Sequence, residues 1–239
     1  MKYVISDIHG HYDRYTELLK KISFGPDDEL YVLGDVIDRG EHGMKILQDM
    51  MMRSNVIPIA GNHEYMALNA LPWLLQEITD DSLSSFTSDK IDALTQWIAV
   101  GGDTSIKEFA ALSKEEKEDI LDYLNDFSLY EEVYAGGRKY LLVHAGLKNF
   151  KEDFDIDHCD ISDLIFETCD YDKCYFDDCY LVTGHLPVRE IRRRYGIETS
   201  EEHQDDVLFR NHHIATDCGC GYGLRLAAVC LDTLQVYYV

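Results

Sequence analysis

Five short polar motifs, each placed directly after an apolar run, constrain the fold of this 239-residue chain more than any other feature. The runs are rich in β-branched and aromatic residues, which is typical of strands buried on both faces. Ligands of an open α/β sheet bind beyond the carboxyl ends of its strands, so the pattern predicts that all five motifs meet at the same edge of one sheet. The motifs are residues 7–10 (DIHG), 34–40 (GDVIDRG), 61–64 (GNHE), 144–146 (HAG) and 184–185 (GH).

Within these motifs stand six side chains of the kinds that bind divalent metals. Carboxylate oxygen, amide oxygen and imidazole nitrogen suit hard and borderline ions, and six ligands exceed the four of a tetrahedral structural zinc site. They fit two ions roughly 3.5 to 4 Å apart that share one carboxylate, the arrangement that hydrolyses phosphate esters. The predicted metal ligands are Asp7, His9, Asp35, Asn62, His144 and His185, with Asp35 as the bridge.

The ordered series DxHG, GDxxDRG, GNHE, HAG and GH resembles the phosphoprotein phosphatase branch of the calcineurin-like metallophosphoesterases. The likeness runs from residue 7 to residue 185, and the tail at 216–221 (TDCGCG) with the following LRLAAVCLDT is similar to the closing strands of bacterial members. It implies that Asp7, His9 and Asp35 hold one ion and that Asp35, Asn62, His144 and His185 hold the other. Manganese is the expected metal, with iron, zinc, nickel and cobalt as alternatives.

The resemblance also implies the catalytic roles. A metal-bound hydroxide would attack phosphorus directly, and His63 matches the general acid that protonates the leaving group. Asp38 matches the carboxylate that orients His63. Arg39 matches the phosphate-binding arginine, whose planar fork can bind two phosphate oxygens.

One element of the protein phosphatases is missing. Their second phosphate-clamping arginine lies between the HAG and GH motifs, but no arginine occurs between Arg138 and Arg189. Lys173 or Arg189 can substitute, and Arg189 is the predicted additional substrate-binding residue. Arg189 also belongs to a basic cluster with residues 192–194, which is either a rim that attracts an anionic substrate or a solvated cluster paired with the acidic run 198–206.

The sequence favours a phosphatase similar to the Ser/Thr protein phosphatases, acting on a phosphorylated protein or a small phosphate ester. A symmetrical dinucleoside tetraphosphate hydrolase is the alternative within the same enzyme class. A catalytically silent binding protein on the same fold is the alternative from another class, and the complete set of ligands argues against it.

Composition argues against several other classes of protein. A net charge of −23 argues against binding to long nucleic acid, which requires many phosphates to be neutralised. No apolar stretch approaches the roughly 18 residues of a membrane span. Seven cysteines, an odd number without a secretory signal, indicate reduced thiols in a cytoplasmic protein. Nothing in the pattern specifies the oligomeric state.

The expected architecture is a single α/β domain over residues 1–239, with a two-sheet core flanked by helices. Residues 65–135 are predicted as a helical insertion that flanks the cleft and helps to select the substrate. Within it, Ser113 is the expected N-cap of a helix from Lys114 to Phe127. Three strand-like runs after His185 (HIAT, LRLAAVCL and LQVYYV) are predicted to form the second sheet.

Overall fold

The computed structural model describes residues 1–75, 87–148, 150 and 155–239. The strands of these residues are β1 Lys2–Ile5, β2 Glu29–Leu33, β3 Val56–Ile59, β4 Tyr130–Ala135, β5 Arg138–Val143, β6 Cys179–Thr183, β7 Leu208–Arg210, β8 His213–Ala215, β9 Ala227–Cys230 and β10 Val236–Tyr238. The α-helices are α1 Tyr12–Lys21, α2 Gly43–Met51, α3 Asn62–Ala70, α4 Ser88–Trp97, α5 Asp103–Ala111, α6 Lys114–Asn125, α7 Ile161–Ile165 and α8 Val188–Tyr195.

Two mixed five-stranded sheets form the core, which confirms the predicted α/β fold with helices outside. The first sheet has the order β10-β9-β1-β2-β3, and the second has the order β4-β5-β6-β8-β7. The prediction that all five motifs share one sheet edge is wrong. Motifs one to three follow the parallel strands β1, β2 and β3 of the first sheet, whereas HAG and GH follow the parallel strands β5 and β6 of the second.

The strands after His185 also divide differently from the prediction. Of the three predicted runs, only HIAT joins the second sheet, as β8, where it lies between β6 and the unpredicted strand β7. The other two runs form β9 and β10, which return to the first sheet. The strand β9 pairs antiparallel with β1, so it satisfies backbone groups that β1 would otherwise leave unpaired at a sheet edge. Apolar patterning identifies a strand but does not identify its partner, which explains the error.

Alternation along β1 shows how the layers pack. Tyr3 and Ile5 contact the cluster that includes residues of α1, α2 and α6, whereas Val4 belongs to the cluster shared with β5 and β6. Successive side chains of a strand point to opposite faces. The first sheet is therefore covered by helices on one face and by the second sheet on the other.

The helical layer between β3 and β4 differs from the predicted insertion at both ends. The helix α3 already begins at Asn62 inside the third motif, and residues 130–135 form the strand β4 instead of helix. This strand alternates exposed and buried side chains at a sheet edge, a pattern that the helical prediction overlooked.

Inside the layer, the predicted helix cap is confirmed. Ser113 caps α6, since its Oγ accepts from the Glu116 N–H at 3.3 Å while the Glu116 carboxylate accepts from the Ser113 N–H at 2.8 Å. The run MALNALPWLLQEI, near the start of the predicted insertion, is α-helical only in part: α3 ends at Ala70 and gives way to a 3₁₀ turn at Leu71–Leu75, and residues 76–78 lie outside the described residues. Pro72 explains the end of α3, because proline cannot continue the backbone ladder. No helix within the described ranges combines the length and apolarity needed to cross a membrane.

Candidate metal centre

The predicted ligands come from distant parts of the chain and converge around Asp35. One group joins His9, Asp35 and His63, and another joins Asp35, His144 and His185; in each, the potential ligand atoms lie within 4.8 Å of one another. We call them the first and the second metal cluster. Asp35 belongs to both, as expected of a bridging carboxylate.

The loops that carry these residues are tied together by their backbones. The N–H groups of Asp7 and His9 donate to the carbonyls of Gly34 and Asp35 at 3.1 and 2.9 Å. Six non-glycine residues of the loops have left-handed backbone conformations that turn the chain sharply after a strand. They are Asp7 (φ 52°), His9 (φ 47°), Asp35 (φ 52°), Asp38 (φ 72°), Arg39 (φ 66°) and His185 (φ 65°).

Two motif glycines make room for the carboxylates. A Cβ atom on Gly61 would lie 2.4 Å from Asp35 Oδ1, and one on Gly184 would lie 2.3 Å from Asp7 Oδ2. Any side chain at either position would displace a predicted ligand. These glycines therefore shape the site through close backbone approach.

The predicted ligand Asn62 lies beside the second metal cluster. Its Oδ1 lies 2.9 Å from His185 Nδ1 and 3.0 Å from His144 Nε2. His144 Nδ1 donates to the Leu33 carbonyl at 2.6 Å. In the neutral ring, the lone pair of Nε2 therefore faces Asn62 Oδ1. Burial lowers the pKa of His144, which favours that neutral form. Two acceptors that face each other in this way fit a cation between them.

The first metal cluster has the same character. His9 Nδ1 donates to the Ile37 carbonyl at 2.9 Å, and its Nε2 lies 3.6 Å from Asp35 Oδ2. Burial lowers the pKa of His9 to about 3, so the ring is neutral and can act as a ligand. The buried ring therefore presents a nitrogen lone pair to the carboxylate.

Asp7 lies beside these clusters rather than within either tight group. Its two carboxylate oxygens accept from the His185 N–H at 3.1 and 3.0 Å. Burial, together with the nearby carboxyls of Asp217 and Asp35, raises the pKa of Asp7 well above its usual range. A bound divalent ion would relieve this crowding of acidic groups.

Asp35 is the ionised centre of the site. Burial opposes its charge, but the surrounding histidines, with His144 and His63 foremost, lower its pKa well below the ordinary range. A buried carboxylate encircled by imidazoles, together with Asn62, is a donor set that fits two divalent ions.

Two further buried acids belong to the site, although the motif analysis assigned no role to them. The Glu64 carboxylate accepts backbone N–H groups from Gly61, Asp35, Val36 and Ile37 at 2.8 to 3.3 Å, so it fixes the second motif against the third. Asp217 accepts from the Gly219 N–H at 2.8 Å, and burial raises its pKa to about 7. Glu64 lies in the motif GNHE and Asp217 lies in the segment TDCGCG, both of which carry the family resemblance.

The predicted acid and its carboxylate are in direct contact. His63 Nδ1 lies 2.5 Å from Asp38 Oδ2. Burial opposes protonation of His63, but Asp35 and then Asp38 outweigh this effect and raise its pKa. This environment favours the charged form that a general acid requires.

Two residues of the helical layer hold Asp38 in turn. The Trp97 Nε1–H donates to Asp38 Oδ2 at 2.6 Å, and the Ser105 hydroxyl donates to Asp38 Oδ1 at 2.6 Å. The Asp38 N–H also donates to the Ser105 oxygen at 2.9 Å. The sequence analysis missed both partners, which lie on α4 and α5.

The two predicted phosphate-binding arginines differ. Arg39 Nη2 lies 3.4 Å from His63 Nε2, and its guanidinium stands 4.7 Å from the ring centre of Tyr222. Arg189 instead donates from Nε and Nη2 to Asp205 at 2.9 and 2.8 Å, so a carboxylate already occupies its fork. This pairing favours the solvated-cluster interpretation of Arg189.

The sequence profile of the calcineurin-like phosphoesterases matches residues 3–216. The chain belongs to the calcineurin-like phosphoesterase family. It is 29% identical over 147 residues to a symmetrical bis(5'-nucleosyl)-tetraphosphatase of Acidovorax ebreus, which covers 61% of this chain and 43% of that protein. It is 30% identical over 147 residues to serine/threonine-protein phosphatase 2 of Escherichia coli, which covers 60% of this chain and 57% of the relative.

The matched segments therefore span about half the length of these two curated relatives. Among solved structures, one of a candidate diadenosine tetraphosphatase has a TM-score of 0.64 at 16% identity and covers all of this chain and 92% of the other. That likeness concerns the fold. The converging nitrogen and oxygen donors around Asp35 have the chemistry of a divalent metal site.

Proposed function

We propose that this protein hydrolyses phosphate esters with two divalent ions held by Asp7, His9, Asp35, Asn62, His144 and His185. The observation that carries the proposal is the position of Asp35 in both metal clusters, directly beside the pair of His63 and Asp38. When bound, two such ions polarise phosphoryl oxygens and lower the pKa of a water molecule from 15.7 to about 7. Manganese is the first metal to test.

The chain's own residues divide the remaining work. The Arg39 guanidinium binds phosphoryl oxygens beside the metal-binding residues, and its distance of 3.4 Å to His63 places the two groups around the same substrate atoms. His63 donates the proton of its Nε2 to the departing oxygen. Asp38 accepts from Nδ1 and stabilises the charged imidazole until that proton is transferred.

Two substrate candidates follow for this site, and the sequence pattern favours the first, a phosphate monoester of the Ser/Thr protein phosphatase kind. A symmetrical dinucleoside tetraphosphate is the second candidate. Occupation of the Arg189 fork by Asp205 supports it, because the chain then lacks the second arginine clamp of the protein phosphatases. The intact donor set around Asp35 argues against a silent binding protein.

The decisive experiment measures hydrolysis of para-nitrophenyl phosphate by metal-stripped protein after manganese is restored. Asp35→Asn serves as the control, since it removes the charge shared by both clusters and keeps the side-chain volume. We expect activity in the restored wild type and none in the variant, together with reduced metal content in the variant. Equal activity of both proteins would exclude the proposed site.

A further inference from the structure

A cleft of about 400 Å³ opens next to the second metal cluster, between α3, α4 and the end of α7. Its position matters because the part of a substrate beyond the reacting phosphoryl group must occupy space near the metals. Its lining includes Tyr65, Asn69, Trp73, Lys90, Gln96 and Phe166, together with one carboxylate, that of Asp89.

Two structural links join this cleft to the metal centre. The helix α3 begins at the predicted ligand Asn62, and Tyr65 and Asn69 follow three and seven residues later. At a rise of 1.5 Å per residue, they lie about 4.5 and 10 Å farther along the helix axis. On the opposite wall, the backbone of Phe166 lies close enough to the His185 ring to influence its pKa, so this wall reaches a predicted ligand.

The walls of the cleft offer aromatic surface. The rings of Tyr65 and Phe166 meet edge to face with centroids 6.0 Å apart, and these residues are 41% and 39% exposed. Farther along, the Trp73 ring lines the cleft with the Lys90 ammonium 5.2 Å from its centre. Exposed aromatic side chains of this kind stack well on a planar heterocycle.

The cleft also offers two carboxamides. Asn69 Nδ2 donates to the Tyr65 carbonyl at 2.7 Å, so the amide oxygen is the group that Asn69 can offer a ligand. Gln96, on α4, offers both a donor and an acceptor. Asparagine and glutamine pair with the donor and acceptor edge of adenine, which a simple aromatic side chain lacks.

We propose that this cleft is a nucleoside subsite, which takes the base of a nucleoside polyphosphate whose reacting phosphoryl group lies beside Arg39. The inference rests on the proposed phosphoesterase function and, of the two substrate candidates for that same site, selects the nucleoside polyphosphate. Aromatic walls match the faces of the base, and the carboxamides of Asn69 and Gln96 match its edge. The helix α3 leads from the predicted ligand Asn62 to this cleft.

The test compares hydrolysis of diadenosine tetraphosphate with hydrolysis of para-nitrophenyl phosphate, which has no nucleoside. The variants are Tyr65→Ala and the double variant Asn69→Ala with Gln96→Ala. Each should lower the ratio of kcat/KM for the two substrates about tenfold, as expected for loss of stacking or edge contacts. Tyr134→Ala is the matched control, because Tyr134 is 63% exposed and lies on β4 of the second sheet.

A second measurement does not depend on turnover. Calorimetric titration of the full chain with ADP should show binding that Tyr65→Ala weakens about tenfold and Tyr134→Ala leaves unchanged. Wild type that hydrolyses para-nitrophenyl phosphate while Tyr65→Ala leaves both the substrate ratio and ADP binding unchanged would overturn the subsite. Preference for a phosphoserine peptide over diadenosine tetraphosphate would also overturn it.

Failure of the proposed function gives a different result. In that case the metal-loaded wild type hydrolyses neither substrate, whereas the ADP titration still reports on the cleft through Tyr65. The two proposals can therefore fail separately.

Discussion

The loops at the sheet edges and the helical layer supply different parts of this site. The predicted metal ligands stand on or directly after the loops that follow β1, β2, β3, β5 and β6. The groups that fix the proton donor come from α4 and α5, where Trp97 and Ser105 hold Asp38. Metal binding and proton donation are therefore built by separate regions that meet between Asp35 and His63, whose Oδ2 and Nε2 lie 3.8 Å apart.

The largest expected effect is that of His63→Ala, which should remove proton donation and leave metal binding unchanged. Removing the general acid should lower kcat by about 10² to 10⁴ while the six predicted metal ligands still bind both ions. Metal analysis alongside kinetics checks this, and the defect should be smaller for para-nitrophenyl phosphate than for an alkyl phosphate, whose leaving group needs the proton more. Loss of metal in this variant would mean that His63 is itself a ligand.

The next largest loss of turnover should come from a substitution confined to the loops. His185→Ala should reduce bound manganese from two ions to one per chain and lower turnover by about 10², because paired ions clamp both the attacking and the leaving oxygen. The alkaline limb of the pH profile should stay in place, since His63 and Asp38 are untouched. A shift of that limb would show that the two regions are coupled.

A smaller effect should follow from changing the helical layer alone. Trp97→Phe keeps a ring at the site but removes one hydrogen bond to Asp38, and Ser105→Ala removes another. Asp38 then attracts the His63 proton more strongly, so the pKa of His63 rises further and its alkaline limb moves to higher pH. Turnover should fall about tenfold, in the range typical of lost supporting contacts.

Retained metal content in these two variants would distinguish positioning from ligation. A fall in turnover without any pH shift would instead indicate that Trp97 and Ser105 act only in packing.

The smallest effect should come from the outer part of the helical layer. Ser113→Ala removes the cap of α6 and should cost about 1 kcal/mol of stability. For a chain of this size, that corresponds to a fall in Tm of roughly 2 to 4 °C. Kinetics and metal content should not change, because α6 contributes no group to either cluster. Reduced turnover at a temperature where the variant is folded would contradict this separation.

The same contrast explains what the sequence reveals. Asp35, Asn62 and His144 were predictable because each follows an apolar run that directs it to a sheet edge. Trp97 and Ser105 were not predictable, because they lie 59 and 67 residues from Asp38 in the sequence. The helical periodicity around them does not indicate which residue they contact. Sheet membership was unpredictable for a related reason: pairing of β9 with β1 is a long-range choice that local patterning does not encode.

The left-handed backbone of the loops has a consequence for the protein as a whole. Six site residues, among them Asp35 and His185, adopt a conformation that costs a non-glycine residue about 1 to 2 kcal/mol. Their sum is comparable with the 5 to 15 kcal/mol that keeps a typical domain folded. Glycine would remove this strain at every position, so what these positions gain from a larger residue is the side chain itself. The conformation of these loops therefore lowers the stability of the fold. The side chains needed at the site are retained at that cost.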